Sequence, residues 1–246
     1  MKGFEIPGSE LTLEKIQEIT ADPELEHLVV WGGPLGNSDF AFLRDVPSLK
    51  SLVLGEMRID DGIFAHLRHL KKLEYLVLAY TGIRGNFAAL EGLPLRDVRL
   101  EGCRFVGDQA AESLARFSTL RQLEIHMTGV TDAGVAALAG LPLEVLWLGP
   151  RVTDGALEVL GRMPTLRYLD ICAHNVSDEG VAHLRTLPNL RILWLTRCGI
   201  TDASVAVLAA LGELQELNVN HTGISEAGLA RLRAALPGCR FPDPDA

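Results

Sequence analysis

The sequence predicts an α/β solenoid: a right-handed stack of short coils, each a strand, a turn and a short helix, with its strands pairing in parallel. Three observations predict it. A motif with apolar residues at its first, fourth and sixth positions recurs nine times, starting at Leu25, Leu49, Leu73, Leu95, Leu120, Leu143, Leu166, Leu190 and Leu214. Successive starts lie 22 to 25 residues apart. A unit of that size cannot bury an apolar face alone, whereas stacked copies bury a continuous core.

Composition sets the outer limits. The chain has 246 residues, 48% hydrophobic and 22% charged, which is globular usage. Its 23 basic and 32 acidic residues give a net charge of −9, which disfavours nucleic acid and fits a basic protein or peptide better. The longest apolar run, Val205 to Leu211, has seven residues, too short to cross a bilayer, so no membrane role is expected. The first ten residues lack an apolar leader segment. Four scattered cysteines form no metal or disulfide pattern, so a cytoplasmic protein with free thiols is expected.

Along the chain, residues 1–24 read as an N-terminal cap. Phe4 to Ile6 is a candidate strand, and Thr12 to Thr20 a helix with Leu13, Ile16 and Ile19 on one face. Residues 25–238 hold the nine repeats, without a linker or second domain. In each, the fourth and sixth positions alternate as a strand with one buried face requires. A polar pair follows: Thr131-Asp132, Thr153-Asp154, Ser177-Asp178, Thr201-Asp202 and Ser225-Glu226. Such pairs suit a helix start, where a side-chain oxygen accepts an orphan N–H and a carboxylate meets the positive end of the dipole. On that reading the recurring aspartates are caps rather than a calcium ladder. A short amphipathic run and a Leu-Pro break then close the repeat, as at Leu141-Pro142. Residues 239–246 read as a last short strand begun at Gly238, ending at Phe241, and a fraying tail.

These features resemble the leucine-rich repeat family, over about residues 25–238. The LxxLxL strands carry the resemblance. Val130-Thr-Asp-Ala-Gly-Val135 and Ile200-Thr-Asp-Ala-Ser-Val205 look like a helix-start subtype of bacterial proteins. The ninth repeat position departs from the usual Asn: Met57, Thr81, Cys103, Thr128, Cys198 and Thr222 stand there, similar to the cysteine-containing subclass. The family implies a horseshoe with a concave parallel sheet and convex helices. It also implies a binding scaffold, rarely an enzyme.

In such a coil the third, fifth, seventh and eighth positions face the concave surface. All three Trp (Trp31, Trp147, Trp194) and all three Tyr (Tyr75, Tyr80, Tyr168) fall in these columns, and none of the eight Phe does. Strands favour aromatics in any case. Aromatics are also common anchors at interfaces. Phe is expected in the core or caps. The column charges are acidic at Glu56, Asp97, Glu101, Glu124, Asp170 and Glu216, and basic at Arg99 and Arg197.

The sharpest constellation is Trp147, Asp170 and Trp194, the fifth positions of three successive strands. Their indoles should lie roughly 10 Å apart with a carboxylate between. Tyr168 shares that face, and Glu124 lies one strand earlier. Aromatic faces around a carboxylate favour a cationic side chain. The alternative is an internal ladder paired with Arg99 or Arg197. The expected site is therefore Trp31, Tyr75, Tyr80, Arg99, Glu101, Glu124, His126, Trp147, Tyr168, Asp170, Trp194 and Arg197, binding a protein or peptide.

A catalytic reading would use His126, Glu124, Asp170 or Cys172. His126 and Cys172 share a column but are two strands, roughly 10 Å, apart. The sequence holds no phosphate loop, zinc spacing or nucleophile motif. No catalytic residue, metal or cofactor is expected. The function expected is non-catalytic recognition by a monomer; self-association through the aromatic surface is the competing reading.

Overall fold

Each repeat motif becomes a strand that starts at its third position. The computed structural model describes residues 3–243. The motif strands are β2 (His27–Trp31), β3 (Ser51–Gly55), β4 (Tyr75–Ala79), β5 (Asp97–Arg99), β6 (Gln122–Ile125), β7 (Val145–Leu148), β8 (Tyr168–Ile171), β9 (Ile192–Trp194) and β10 (Glu216–Asn218). They are preceded by β1 (Gly3–Pro7). The fourth and sixth positions of every motif, from Leu28 and Val30 to Leu217 and Val219, are at most 8% exposed. Successive strand residues point to opposite faces, so this alternation puts one face of every strand in the core.

The chain divides into two compact units, Met1–Thr128 and Gly129–Ala246. Within the first, neighbouring strands pair in parallel and in chain order, with His27 opposite Ser51, then Tyr75, Asp97 and Gln122. Within the second, Val145 lies opposite Tyr168, then Ile192 and Glu216. Before β3 to β6 and β8 to β10, one carbonyl serves two donors of the next repeat. Glu26 accepts from Lys50 and Ser51, Glu74 from Arg96 and Asp97, and Arg167 from Arg191 and Ile192. This fixes the register before side chains meet.

The return segments differ between the units. The first uses α1 (Leu13–Ala21), α2 (Phe64–Leu67) and α3 (Asp108–Leu114), with 3-10 turns at Asn37–Asp45, Asp61–Ile63 and Phe87–Leu90. Phe40, Phe64 and Phe87 fill the space beneath them and are at most 2% exposed. The second unit uses α4 (Asp132–Ala137), α5 (Asp154–Leu160), α6 (Asp178–Val181), α7 (Val205–Ala209) and α8 (Glu226–Ala235), with 3-10 turns at Leu138–Gly140, Ala182–Thr186 and Asp202–Ser204. Its core side is smaller: Ala156, Leu157 and Leu160 on α5, Val205 and Leu208 on α7.

The polar pairs do sit at helix starts, with a division of labour that the sequence reading missed. The Thr or Ser is the cap: Thr153 accepts from the Gly155 N–H, Ser177 from Glu179 and Thr201 from Ala203. The Asp reaches along the stack instead. Asp154 accepts the N–H and hydroxyl of Ser177 at 2.8 and 2.6 Å, Asp178 those of Thr201 at 2.9 and 2.7 Å, and Asp202 those of Ser225 at 2.8 and 2.7 Å. Each carboxylate thus straps its repeat to the next. A Cβ on Gly180 would lie 2.1 Å from the Asp154 carboxylate, which explains the glycine of the Thr-Asp-x-Gly pattern. Where Ser204 replaces that glycine, its hydroxyl donates to Asp178.

The ninth positions behave in two ways. Thr81, Thr128 and Thr222 donate to the carbonyl three residues back in their own repeat. The longer-reaching Cys103 and Cys198 thiols donate to Leu78 and Ile171 of the preceding repeat, at 2.7 and 3.5 Å. Both cysteines are buried, and burial pushes the Cys198 thiol up to about 12.

At the ends, β1 pairs in parallel with β2, Gly3 opposite His27 and Pro7 opposite Trp31. Thr12 caps α1 by accepting the Lys15 N–H. Ile19 is buried, but Leu13, expected on the same face, is 73% exposed, because α1 meets the core only at its far end. The expected last strand is a single bridge, Arg240 opposite Glu216. In the expected fraying tail, the Pro242 carbonyl accepts from Asn220 at 3.1 Å. Residues 244–246 of that tail lie outside the described residues.

Candidate functional site

The third and fifth positions stay on the strands and are mostly half-buried. The eighth positions do not belong to the strands. Glu56, Tyr80, Met127, Arg197 and His221 have φ between 53° and 61°, and Gly32 and Gly102 have 74° and 69°. This left-handed turn follows the strand, and its N–H still continues the ladder. Tyr80 donates to Glu101, Gly102 to His126 and Arg197 to Asn220. Tyr80 and Arg197 therefore stand at the strand-end edge, not among the strand-face residues. Two glycines in a column of nine were the sequence signal for this backbone, since glycine adopts it without steric cost.

In the first unit the strand face is a charged lattice. Arg99 donates from Nε and Nη2 to the two Asp97 oxygens at 3.1 and 3.0 Å, and its guanidinium lies 5.2 Å from the Tyr75 ring centre. Burial pushes the Tyr75 hydroxyl above its ordinary range. Glu124 is half-buried; burial first, then the nearby Glu101 charge, raises its carboxyl against the pull of Arg99. The Tyr80 hydroxyl donates to Glu101 at 2.6 Å. Its ring covers Gly102, where a Cβ would come within 2.4 Å. The Trp31 indole covers Gly55 in the same way and is 38% exposed. His126 follows β6, half-buried.

In the second unit the strand face is aromatic. Register places Trp147, Asp170 and Trp194 directly opposite one another, as expected. The ring packing is different from a cage around the carboxylate. Tyr168 lies between the indoles, 5.0 Å from Trp147 and 6.1 Å from Trp194, each pair tilted by 46°. The Trp147 indole N–H donates to the Tyr168 hydroxyl at 3.2 Å, and that of Trp194 to Glu216 at 2.7 Å. Glu216 also accepts from Arg240. This acid of the last repeat is therefore committed internally. Cys172 follows β8, half-buried, and burial raises its thiol.

A family model described as Leucine Rich repeat matches residues 186–209, the segment that contains β9. That segment is a leucine-rich repeat, and its motif is one of nine along the chain. Among solved structures, an internalin from Listeria monocytogenes superposes with a TM-score of 0.54 at 16% identity, covering 99% of this chain and 86% of its own. A TDR receptor superposes with a TM-score of 0.57 at 16% identity, covering 93% of this chain but only 44% of the receptor. No curated protein sequence matches. The likeness to these structures is thus one of fold.

Sequence reasoning missed three residues at the strand-end edge. Phe105, expected in the core or caps, is 60% exposed, and Met127 is 52% exposed. Arg104 lies beside them. The exposed Phe is legible only once the turn after β5 is seen to leave the core at Cys103, before the chain returns at Val106.

Proposed function

We propose that the chain is a non-catalytic recognition module that holds a protein or peptide on the strand face of its leucine-rich repeats. The Trp147–Tyr168–Trp194 stack is the anchor. One observation carries this reading: three large rings cross three adjacent strands with their polar atoms already partnered within the face. A partner covering them removes apolar surface from water without stranding an indole N–H, the condition under which aromatic anchors contribute most. Asp170, in register between the indoles, favours a cationic side chain of the partner. The chain's net charge of −9 favours the same sign. Four free thiols suit a reducing cytoplasm as its place of work.

The test is affinity capture with the wild type against a Trp147→Ala/Trp194→Ala variant, then calorimetric titration of the captured protein. Each single Ala variant should lose about 2 kcal/mol, roughly 30-fold in Kd. Equal capture by wild type and double variant would sink the reading.

A further inference from the structure

The strand-end edge of the first unit carries a second surface of opposite chemistry. A hollow of about 400 Å³ lies there, walled by Met57, Tyr80, Phe105 and Met127. Three of these are large and exposed: Tyr80 at 43%, Met127 at 52% and Phe105 at 60%. Exposed apolar side chains gathered around one hollow differ from the scattered ones that any surface carries.

The backbone sharpens the point. Met127 has φ of 55°, and the equivalent position is glycine at Gly32 and Gly102. Glycine is the unstrained residue in that turn, so the fold itself does not ask for a methionine there. Tyr80, also left-handed, at least covers Gly102 and donates to Glu101.

Charge then selects the occupant. The one ionic side chain lining the hollow is Arg104, which is exposed and makes no hydrogen bond or ion pair among the described residues. The Arg84 guanidinium lies 5.1 Å from the centre of the Phe105 ring, and its charge also reaches Asp60. Glu101, Glu124 and Glu56 bring negative charge to Tyr80 but do not line the hollow, and Glu101 is engaged by the Tyr80 hydroxyl. We propose that this hollow docks a short acidic segment of a protein partner, seating one large apolar side chain against Tyr80, Phe105 and Met127 while its carboxylates meet Arg104 and Arg84. The site does not depend on the aromatic stack of the second unit, whose proposed occupant is basic.

The experiment uses the full chain and fluorescently labelled heptapeptides. Each peptide has a central Leu or Phe flanked by three Glu on either side; matched peptides carry Ser or Lys flanks. Anisotropy should show the Glu-flanked peptide binding at least about tenfold tighter than either control. Phe105→Ala and Arg104→Glu should each weaken it about tenfold, and Trp194→Ala should leave it unchanged. Met127→Gly should weaken binding while the melting temperature holds or rises, which separates docking from folding. The proposal is overturned if no peptide binds, if Lys flanks serve as well as Glu, or if Phe105→Ala and Met127→Gly bind as the wild type does. A concentration-dependent dimer abolished by Phe105→Ala would assign the hollow to a second copy and overturn it too.

Discussion

The first unit closes its coils on phenylalanine, carried by 3-10 turns at Phe40 and Phe87 and by α2 at Phe64; the second closes them on small side chains of α-helices that adjoin 3-10 turns at Leu138–Gly140, Ala182–Thr186 and Asp202–Ser204, with a carboxylate strap between repeats. The strand halves are the same. Each needs only buried fourth and sixth positions and a shared carbonyl before the strand. The return half has a choice. A 3-10 turn rises about 2.0 Å per residue against 1.5 Å for an α-helix, so it is narrower and leaves more room beneath it. Phe40 and Phe87, both on 3-10 turns, take that room, and Phe64 of α2 packs against Phe87. In the second unit the helices approach on Ala, Val and Leu, and their starts are tied by Asp154, Asp178 and Asp202. The first unit ties its returns differently: Asp61 accepts the backbone N–H groups of Arg84, Gly85 and Asn86. The comparison teaches that the repeat tolerates two ways of spanning the same gap, provided that each coil's loose polar groups find the neighbouring coil.

The largest test of that contrast is Phe87→Ala. Phe87 is fully buried and packs on Phe64 with ring centres 5.0 Å apart. Removing it should cost about 3–5 kcal/mol in denaturant unfolding. Because stability in a stacked array is a sum of repeat and neighbour contributions, hydrogen exchange should quicken more among residues 3–128 than in the second unit. Uniform loss of protection would break the comparison, since it would make the two units one cooperative body.

Next in size is the strap. Burial pushes the Asp178 carboxyl up, but hydrogen bonds from Ser204 and Thr201 outweigh it and hold the group below its ordinary range. Asp178→Ala leaves those donors without their acceptor and should cost about 1–2 kcal/mol. The pH dependence follows from the direction of the shift. The unfolded carboxyl titrates near about pH 4. Since the folded value is lower, the strap's contribution is complete above that pH and is lost as pH falls through the folded value. An Asp178→Asn variant should therefore melt with a shallower acid slope than the wild type. An unchanged slope would assign the acid sensitivity to other carboxylates, such as Asp60, which the Gly62 N–H and Asn37 also hold low.

The eighth position offers a test with opposite signs in the two units. Gly102→Ala should cost about 1–2 kcal/mol, because it sits at φ of 69° with the Tyr80 ring against it. Arg197→Gly, at φ of 61° in the second unit, should be neutral or stabilising. Thermal melts of both variants decide it, and a loss in each would show that the Arg197 side chain has a structural role.

The repeats were legible because burial dictates them: Leu28, Val30 and their equivalents have one acceptable environment, and its period shows in the chain. The aromatic register was legible for the same reason, once Trp147, Asp170 and Trp194 occupied one position. Side-chain direction was not. Tyr168 could turn toward either strand neighbour, and only packing places its ring between the indoles. The left-handed turn was hidden because Glu, Tyr, Met, Arg and His occupy it beside two glycines, so local preference pointed elsewhere. Phe105 was hidden by its type: a phenylalanine in an eleventh position reads as core until the turn is seen to carry it out.

The smallest effect is the most diagnostic of the first unit's charged face. Glu124 lies opposite Arg99, and burial together with Glu101 raises its carboxyl. The folded state therefore keeps that proton to a higher pH than the unfolded chain, whose Glu titrates near about 4.3. Stability falls as pH rises through the window between the two values, the reverse of the Asp178 case. Glu124→Gln imitates the protonated form. At neutral pH it should raise the melting temperature by about 1–2 °C, small because the side chain is half in water. At pH 4, where the wild type already carries the proton, the gain should vanish. A gain that persists at pH 4 would mean that Gln packs better than Glu, and a loss at neutral pH would mean that the attraction to Arg99 outweighs burial.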